Sequence, residues 1–225
     1  MTSSHRRPAL LAALTLGVLA SAAGVSAAQT PAPVISVDKA CYVHSASATP
    51  AEVTVSGDGF PAGDSVKISA TGFSTTATAA ADGSFTATGP APVFSSGPVS
   101  KTYQLTAADQ THPGVTAQTT LRVANLAVAV NRSRVNNVRK DKVTFSFAGF
   151  DPSKHIYGYY IHGKAVARAV FRKAQGPCGM LRQRALLYPG GRPRHNTYKV
   201  VFEDTSRYSA TAFPRVTGNL QLIHF

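Results

Sequence analysis

VTVSGDGF at residues 53–60 and VTFSFAGF at residues 143–150 are one eight-residue phrase written twice. Five of the eight positions are identical, and the two copies lie 90 residues apart. The register continues without a gap, so that FPAGDSV at 60–66 aligns with FDPSKHI at 150–156. VTVS and VTFS are β-branched and aromatic, which favours strand. The Gly-Phe that follows closes the strand, and Pro-Ala-Gly-Asp or Asp-Pro-Ser-Lys supplies turn chemistry. SVKIS and HIYGYYIH then begin a new alternating strand.

Other short strands are spelled on either side. In the first half they are ISV at 35–37, GSFTAT at 83–88, TYQLTA at 102–107 and TTLRVA at 119–124. In the second half they are LAVAV at 126–130, ALLY at 185–188, TYKVVF at 197–202 and LQLIH at 220–224. Residues 163–174, GKAVARAVFRKA, hold valines at helical spacing, yet alternate as a strand does and sit among hairpin-like neighbours, so they read as strand. Turn signals every 8–12 residues and a period of roughly 90–100 residues are the marks of immunoglobulin-like sandwiches. The expected fold is all-β, with two tandem immunoglobulin-like β-sandwich domains over 31–124 and 125–225 after a signal peptide at 1–28. Tryptophan is absent and each half holds one cysteine, so neither has the antibody-type core of a disulfide against an indole. Phe60, Phe73 and Phe85 are expected to fill the first core, and Phe145, Tyr160 and Phe202 the second.

The signal peptide is read from Arg6 and Arg7, then an apolar, uncharged run, then small residues around Val25–Ala28 suited to cleavage. No second apolar run of membrane length follows, so the exported chain is expected to carry no transmembrane segment. Charge is unevenly spread. Residues 31–124 hold four Lys and Arg against six Asp and Glu; residues 125–225 hold seventeen against four. The whole basic excess lies in the second half, an asymmetry that bears on partners rather than on fold.

An exported chain meets an oxidising compartment, and one cysteine per half leaves Cys41–Cys178 as the one intramolecular bridge available. It would join the two halves, with Gly176, Pro177 and Gly179 shaping the turn. Two separate thiols and an intermolecular bridge are the alternatives. A nucleophile pairing Cys178 with His155, His162 or His195 lacks any surrounding signature.

Enzyme and metal chemistry find little support. His155 and His162 are seven residues apart on one strand and point to opposite faces. His44, His112, His195 and His224 are isolated in the sequence. Asp58 and Asp64 flank a Pro-Gly turn without the spacing of a calcium loop, and read as turn caps. Glu203 and Asp204 are adjacent on a strand end and point apart. There is no G-x-S-x-G, P-loop or H-E-x-x-H. No catalytic residue, metal ligand or cofactor is expected.

The basic clusters carry the functional reading. Arg132, Arg134, Arg139, Lys140 and Lys142 open the second half. Arg168, Arg172 and Lys173 precede GPCG, Arg182 and Arg184 follow it, and Arg192 and Arg194 sit in a Pro-Gly loop. The last seven are the candidate site for an anionic extracellular or cell-wall polymer, bound in a salt-dependent way. A solvated basic surface with no dedicated partner is the bland alternative. No nucleic-acid-reading motif is present, so sequence-specific nucleic-acid recognition is not expected.

SGDGFPAGDSVKI and ADGSFTAT resemble the Ig-like repeats of secreted actinobacterial proteins. GFDPSKHIYGYYIHGK, KAQGPCGMLRQRALLYP, YKVVFED and RYSATAFPR are similar to a domain of exported actinobacterial proteins of unassigned function. The resemblance implies fold and secretion and no activity. The G-F-x-A-G sandwiches also resemble neocarzinostatin-type apoproteins, which implies a rival reading as a small-ligand carrier; the intradomain disulfides of that type are missing here.

Overall fold

The computed structural model describes residues 31–45, 50–94, 97–132, 135, 137, 140–190, 196–212 and 214–222. The signal peptide read over 1–28 lies outside them, as do Arg134, Arg139, Arg192, Arg194, His195 and His224. The described residues contain no helix. The protein is all-β, with its sheets arranged as sandwiches.

The first half forms β1 (Val34–Val37), β2 (Tyr42–His44), β3 (Glu52–Asp58), β4 (Ser65–Ala70), β5 (Phe73–Thr78), β6 (Phe85–Pro90), β7 (Ser100–Asp109) and β8 (Thr116–Asn125). The second forms β9 (Ala127–Val130), β10 (Lys142–Ala148), β11 (His155–His162), β12 (Ala165–Lys173), β13 (Leu181–Leu186), β14 (Asn196–Glu203) and β15 (Arg215–Leu222). Residues 163–174 are a strand and its turn, as the alternation implied.

The repeat extends to topology. One sheet runs β1-β3-β6 and its counterpart β9-β10-β13; the other runs β5-β4-β7-β8 and its counterpart β12-β11-β14-β15. β2 is an addition, lying parallel to β8 outside that shared plan. Each pair of sheets closes on its own core. Val53, Val55, Ile68, Leu105 and Leu121 are fully buried in the first, and Phe145, Phe147, Ile156, Tyr160 and Phe171 in the second. The alternation along β3 (buried Val53, Val55 and Gly57 between more exposed neighbours) shows why one register was written into the sequence: a one-residue slip would turn every valine to water.

The two cores fill equivalent space with different residues. In the first, Gly57 of β3 pairs with Phe85 of β6, and the Phe85 ring lies where a Cβ on Gly57 would be. In the second, the equivalent pair is Phe147 and Leu181, so the aromatic ring has changed strands. All six aromatics expected in the cores are buried. ALLY, expected as a strand at 185–188, is displaced: the strand is β13, which begins at Leu181 and ends at Leu186. Its outward positions, Arg182 and Arg184, are charged, which masks the apolar signal of its first half.

Gly59 and Gly149 occupy matching places at the ends of β3 and β10, with φ of 79° and 81°. This left-handed conformation suits glycine and explains the repeated Gly-Phe. At Gly149 a side chain would also collide with Val43, Leu126 and the Asn125 carbonyl. Those residues form the junction between the two halves. Only Leu126 separates β8 from β9, and its amide donates to the His44 carbonyl at 2.7 Å. Val43, on the added strand β2, packs against the second core.

Candidate functional site

The basic residues of the second half are set by strand alternation. Lys142 of β10 and Arg184 of β13 point outward from the same sheet, since Thr144 pairs with Arg184 and Lys142 with Leu186. They are therefore diagonal neighbours on one face. Arg132 reaches the same place and donates from Nη2 to the Lys142 carbonyl at 3.2 Å. The turn before β10 is closed by the Asp141 carboxylate accepting from the Asn137 amide at 2.9 Å and by the Lys140 amide donating to the Asn137 carbonyl at 3.1 Å. The result is an open cleft of about 390 Å³ lined by Arg132, Lys140, Asp141, Lys142 and Arg184. Among the described residues, four cations face one acid, and that acid already serves the turn.

The other expected residues are distributed differently. Arg168 and Arg172 are exposed on β12, and Arg182 and Arg184 on β13. Between them, residues 174–180 carry the chain from the four-stranded sheet to the three-stranded one. Phe171 and Leu181 both enter the second core, so the two arginine pairs leave opposite faces of the sandwich. Lys173, also exposed, ends β12 opposite His155. Arg168 lies over the Tyr157 ring at 5.8 Å and donates to the Ser206 carbonyl at 3.0 Å. Close by in the chain, Arg215 lies over Tyr208 at 5.2 Å and donates to its hydroxyl at 2.9 Å. Arg192 and Arg194 lie outside the described residues. Of the five expected residues that the structure describes, Arg184 alone lines the cleft. Arg132, Lys140 and Lys142 were legible as a basic cluster but not as its partners.

Acids do little to neutralise this surface. Among the described residues of the second half, Lys154 alone makes ion pairs, with Asp151 at 3.4 Å and Asp204 at 3.6 Å. Glu203 is fully buried and accepts from the Thr205 hydroxyl at 2.7 Å and the Ser209 amide at 3.3 Å. Burial lifts the Asp204 carboxyl above the ordinary carboxylate value, and Lys154 draws it back only in part. A raised folded value means that stability is fully present below the unfolded value and is lost as pH rises through the folded one. Asp204→Asn, neutral throughout, is therefore expected to raise the urea midpoint at pH 7 and leave it unchanged at pH 3. A lowered midpoint at pH 7 would show that the Lys154 pairing outweighs the burial.

Cys41 and Cys178 are joined in a disulfide with their Cα atoms 5.2 Å apart, across 137 residues. Neither thiol is free, so Cys178 is no nucleophile. GPCG is the inner turn of a hairpin whose flanks, Gln175 and Met180, exchange backbone hydrogen bonds of 2.8 Å. The Cys178 carbonyl also accepts from Gly149 at 3.0 Å. Gly179 has φ of 57°, and a Cβ there would overlap the Phe150 carbonyl. The turn is thus pressed onto the repeated Gly-Phe corner, which brings the cysteine to the junction.

A second cavity, of about 190 Å³, is apolar and lies among Val128, Phe145, Tyr160, Leu187 and Phe202. The Tyr160 hydroxyl is buried without a hydrogen-bond partner among the described residues.

No family model matches the sequence, and no curated protein does. Among solved structures, the chain is similar to a tetra-tandem repeat from the extending region of a large adhesion protein, with 17% identity over 84% of this chain and 49% of that one and a TM-score of 0.29. It is similar to a Ca2+-stabilized adhesin that helps an Antarctic bacterium bind ice, with 15% identity over 86% and 48% of the two chains and a TM-score of 0.31. A structure from a 1.5-MDa bacterial ice-binding adhesin gives 11% identity over 87% and 66%, with a TM-score of 0.28. The chain spans about half the length of the first two.

Proposed function

We propose that this is a secreted, non-enzymatic protein whose second sandwich contacts an anionic extracellular or cell-wall polymer. The observation that carries this reading is the cleft in which Arg132, Lys140, Lys142 and Arg184 converge around one acid. None of the four is ion-paired to a described carboxylate, so the cleft presents a concentrated positive field to solvent. An open groove fits an extended chain of phosphate, carboxylate or sulfate groups better than a small molecule, which needs an enclosed apolar site. Secretion is supported by the N-terminal reading and by the disulfide, a bond that persists in oxidising compartments. Kinship with exported actinobacterial proteins belongs to the same proposal.

The small-ligand carrier has one observation in its favour, the apolar cavity beneath Tyr160. Its volume of about 190 Å³ is below the roughly 300–1,000 Å³ typical of ligand pockets.

Retention on an anionic column tests the reading. The wild-type chain should bind immobilised heparin and a phosphodiester wall polymer and elute as salt rises, because counterions compete for the charges. Lys142→Glu with Arg184→Glu should elute at markedly lower salt, with an unchanged far-ultraviolet spectrum. Equal retention of the folded double variant would reject the cleft as the site.

A further inference from the structure

At the edge of the first sandwich, three residues far apart in sequence meet. Asp64 precedes β4, Asp109 ends β7, and His112 lies in the turn from β7 to β8. Pairing of β4 with β7 sets Val66 against Asp109 and so draws the Asp64 turn to the end of β7. His112 Nδ1 lies 2.8 Å from Asp64 Oδ2 and 3.7 Å from Asp109 Oδ2, and one ligand atom from each residue falls within 4.8 Å of the others.

Asp109 is the informative member. Its side chain is fully buried. Oδ1 accepts from the Thr111 amide at 2.7 Å and the His112 amide at 2.9 Å. Oδ2 is buried, has no hydrogen-bond partner within 3.5 Å among the described residues, and faces the imidazole and the second carboxylate. A buried carboxylate oxygen left in this way is costly unless something cationic meets it.

We propose that Asp64, Asp109 and His112 form a binding site for a divalent first-row transition-metal ion, with Zn2+ as the fitting probe. The donor set is two carboxylate oxygens and one imidazole nitrogen. Ca2+ takes six to eight oxygen ligands and Mg2+ is held by oxygens and water, so an imidazole in a three-donor set points away from both. Zn2+ binds such donors at about 2.0–2.2 Å in tetrahedral geometry, which separates neighbouring donor atoms by about 3.3 Å. The distances of 2.8 and 3.7 Å bracket that spacing. The His112 side chain is 57% exposed and that of Asp64 20%, which leaves an entry path and room for water in the remaining position. Bound there, the ion would pin the start of β4 to the β7–β8 turn.

The test is calorimetric titration of Zn2+ into the full chain after removal of metal with a chelator. One saturable site is expected, with a rise of several degrees in melting temperature at saturation, because a ligand that binds the folded state stabilises it. His112→Ala should weaken that site at least tenfold, and Asp64→Asn should weaken it as well. His155→Ala should retain it, and Ca2+ at the same concentrations should not replace Zn2+. His112 and Asp64 lie on the surface, so both variants are expected to fold; far-ultraviolet spectra check this. Absence of a saturable site in the wild type, or equal Zn2+ affinity in folded His112→Ala and Asp64→Asn, would overturn the proposal and leave an ion-pair cluster.

Discussion

Cys41→Ser with Cys178→Ser unfolds at a clearly lower denaturant concentration than the wild-type chain. The bridge closes a span of 137 residues. Chain entropy alone then amounts to about 5 kcal/mol in the loop-closure model. The loss is concentrated at the junction, because the covalent link between halves there is otherwise the single residue Leu126 between β8 and β9. The wild type should unfold in one transition, and the double variant in two that separate as the halves lose their coupling. Trypsin provides a direct check of the bond: residues 40–67 and 174–182 should be released as one linked species without reductant and as two peptides with it. A double variant with wild-type stability would show that the junction packing of Val43, Leu126 and Gly149 suffices by itself.

The next largest effect is expected at Phe147. Its ring lies 4.8 Å from Phe171, 5.6 Å from Phe202, 5.8 Å from Phe150 and 6.0 Å from Phe145, centroid to centroid. Phe147→Ala removes the shared member of four aromatic pairs from a fully buried site, and such truncations cost about 3–5 kcal/mol. The first half holds glycine at the same place and is not hollow, because Phe85 across the strand pair fills the space. The exchange Phe147→Gly with Leu181→Phe copies that solution into the second half. It should recover part of the stability that Phe147→Gly alone loses, as read from urea midpoints. Additive losses in the double variant would mean that the two cores are not interchangeable despite their common topology.

The repeat made the architecture legible because the signal was local. A strand, its glycine corner and the following turn sit within one short stretch, and the matching φ of Gly59 and Gly149 is the physical reason for the shared letters. Strand β2 was not legible: three residues cannot display a period, and their parallel pairing with β8 is a long-range event. Nor was β5, whose FSTTAT is polar because only Phe73 at its start is buried. The cysteine bridge followed from compartment and count. The arginines did not follow from proximity, since GPCG lies where the chain changes sheet and sends neighbours in sequence to opposite faces. Asp64 and His112, read as separate turn residues, are 48 positions apart and meet through the register of β4 on β7.

The electrostatic cleft of the second half is tested most directly by a lysine-acetylation footprint, read by mass spectrometry on the folded chain with and without a saturating anionic polymer. Lys140 and Lys142 should be protected, and Lys39, Lys67, Lys101 and Lys164 should react as in the free protein. Protection spread evenly over both halves, or strongest in the first, would contradict the account.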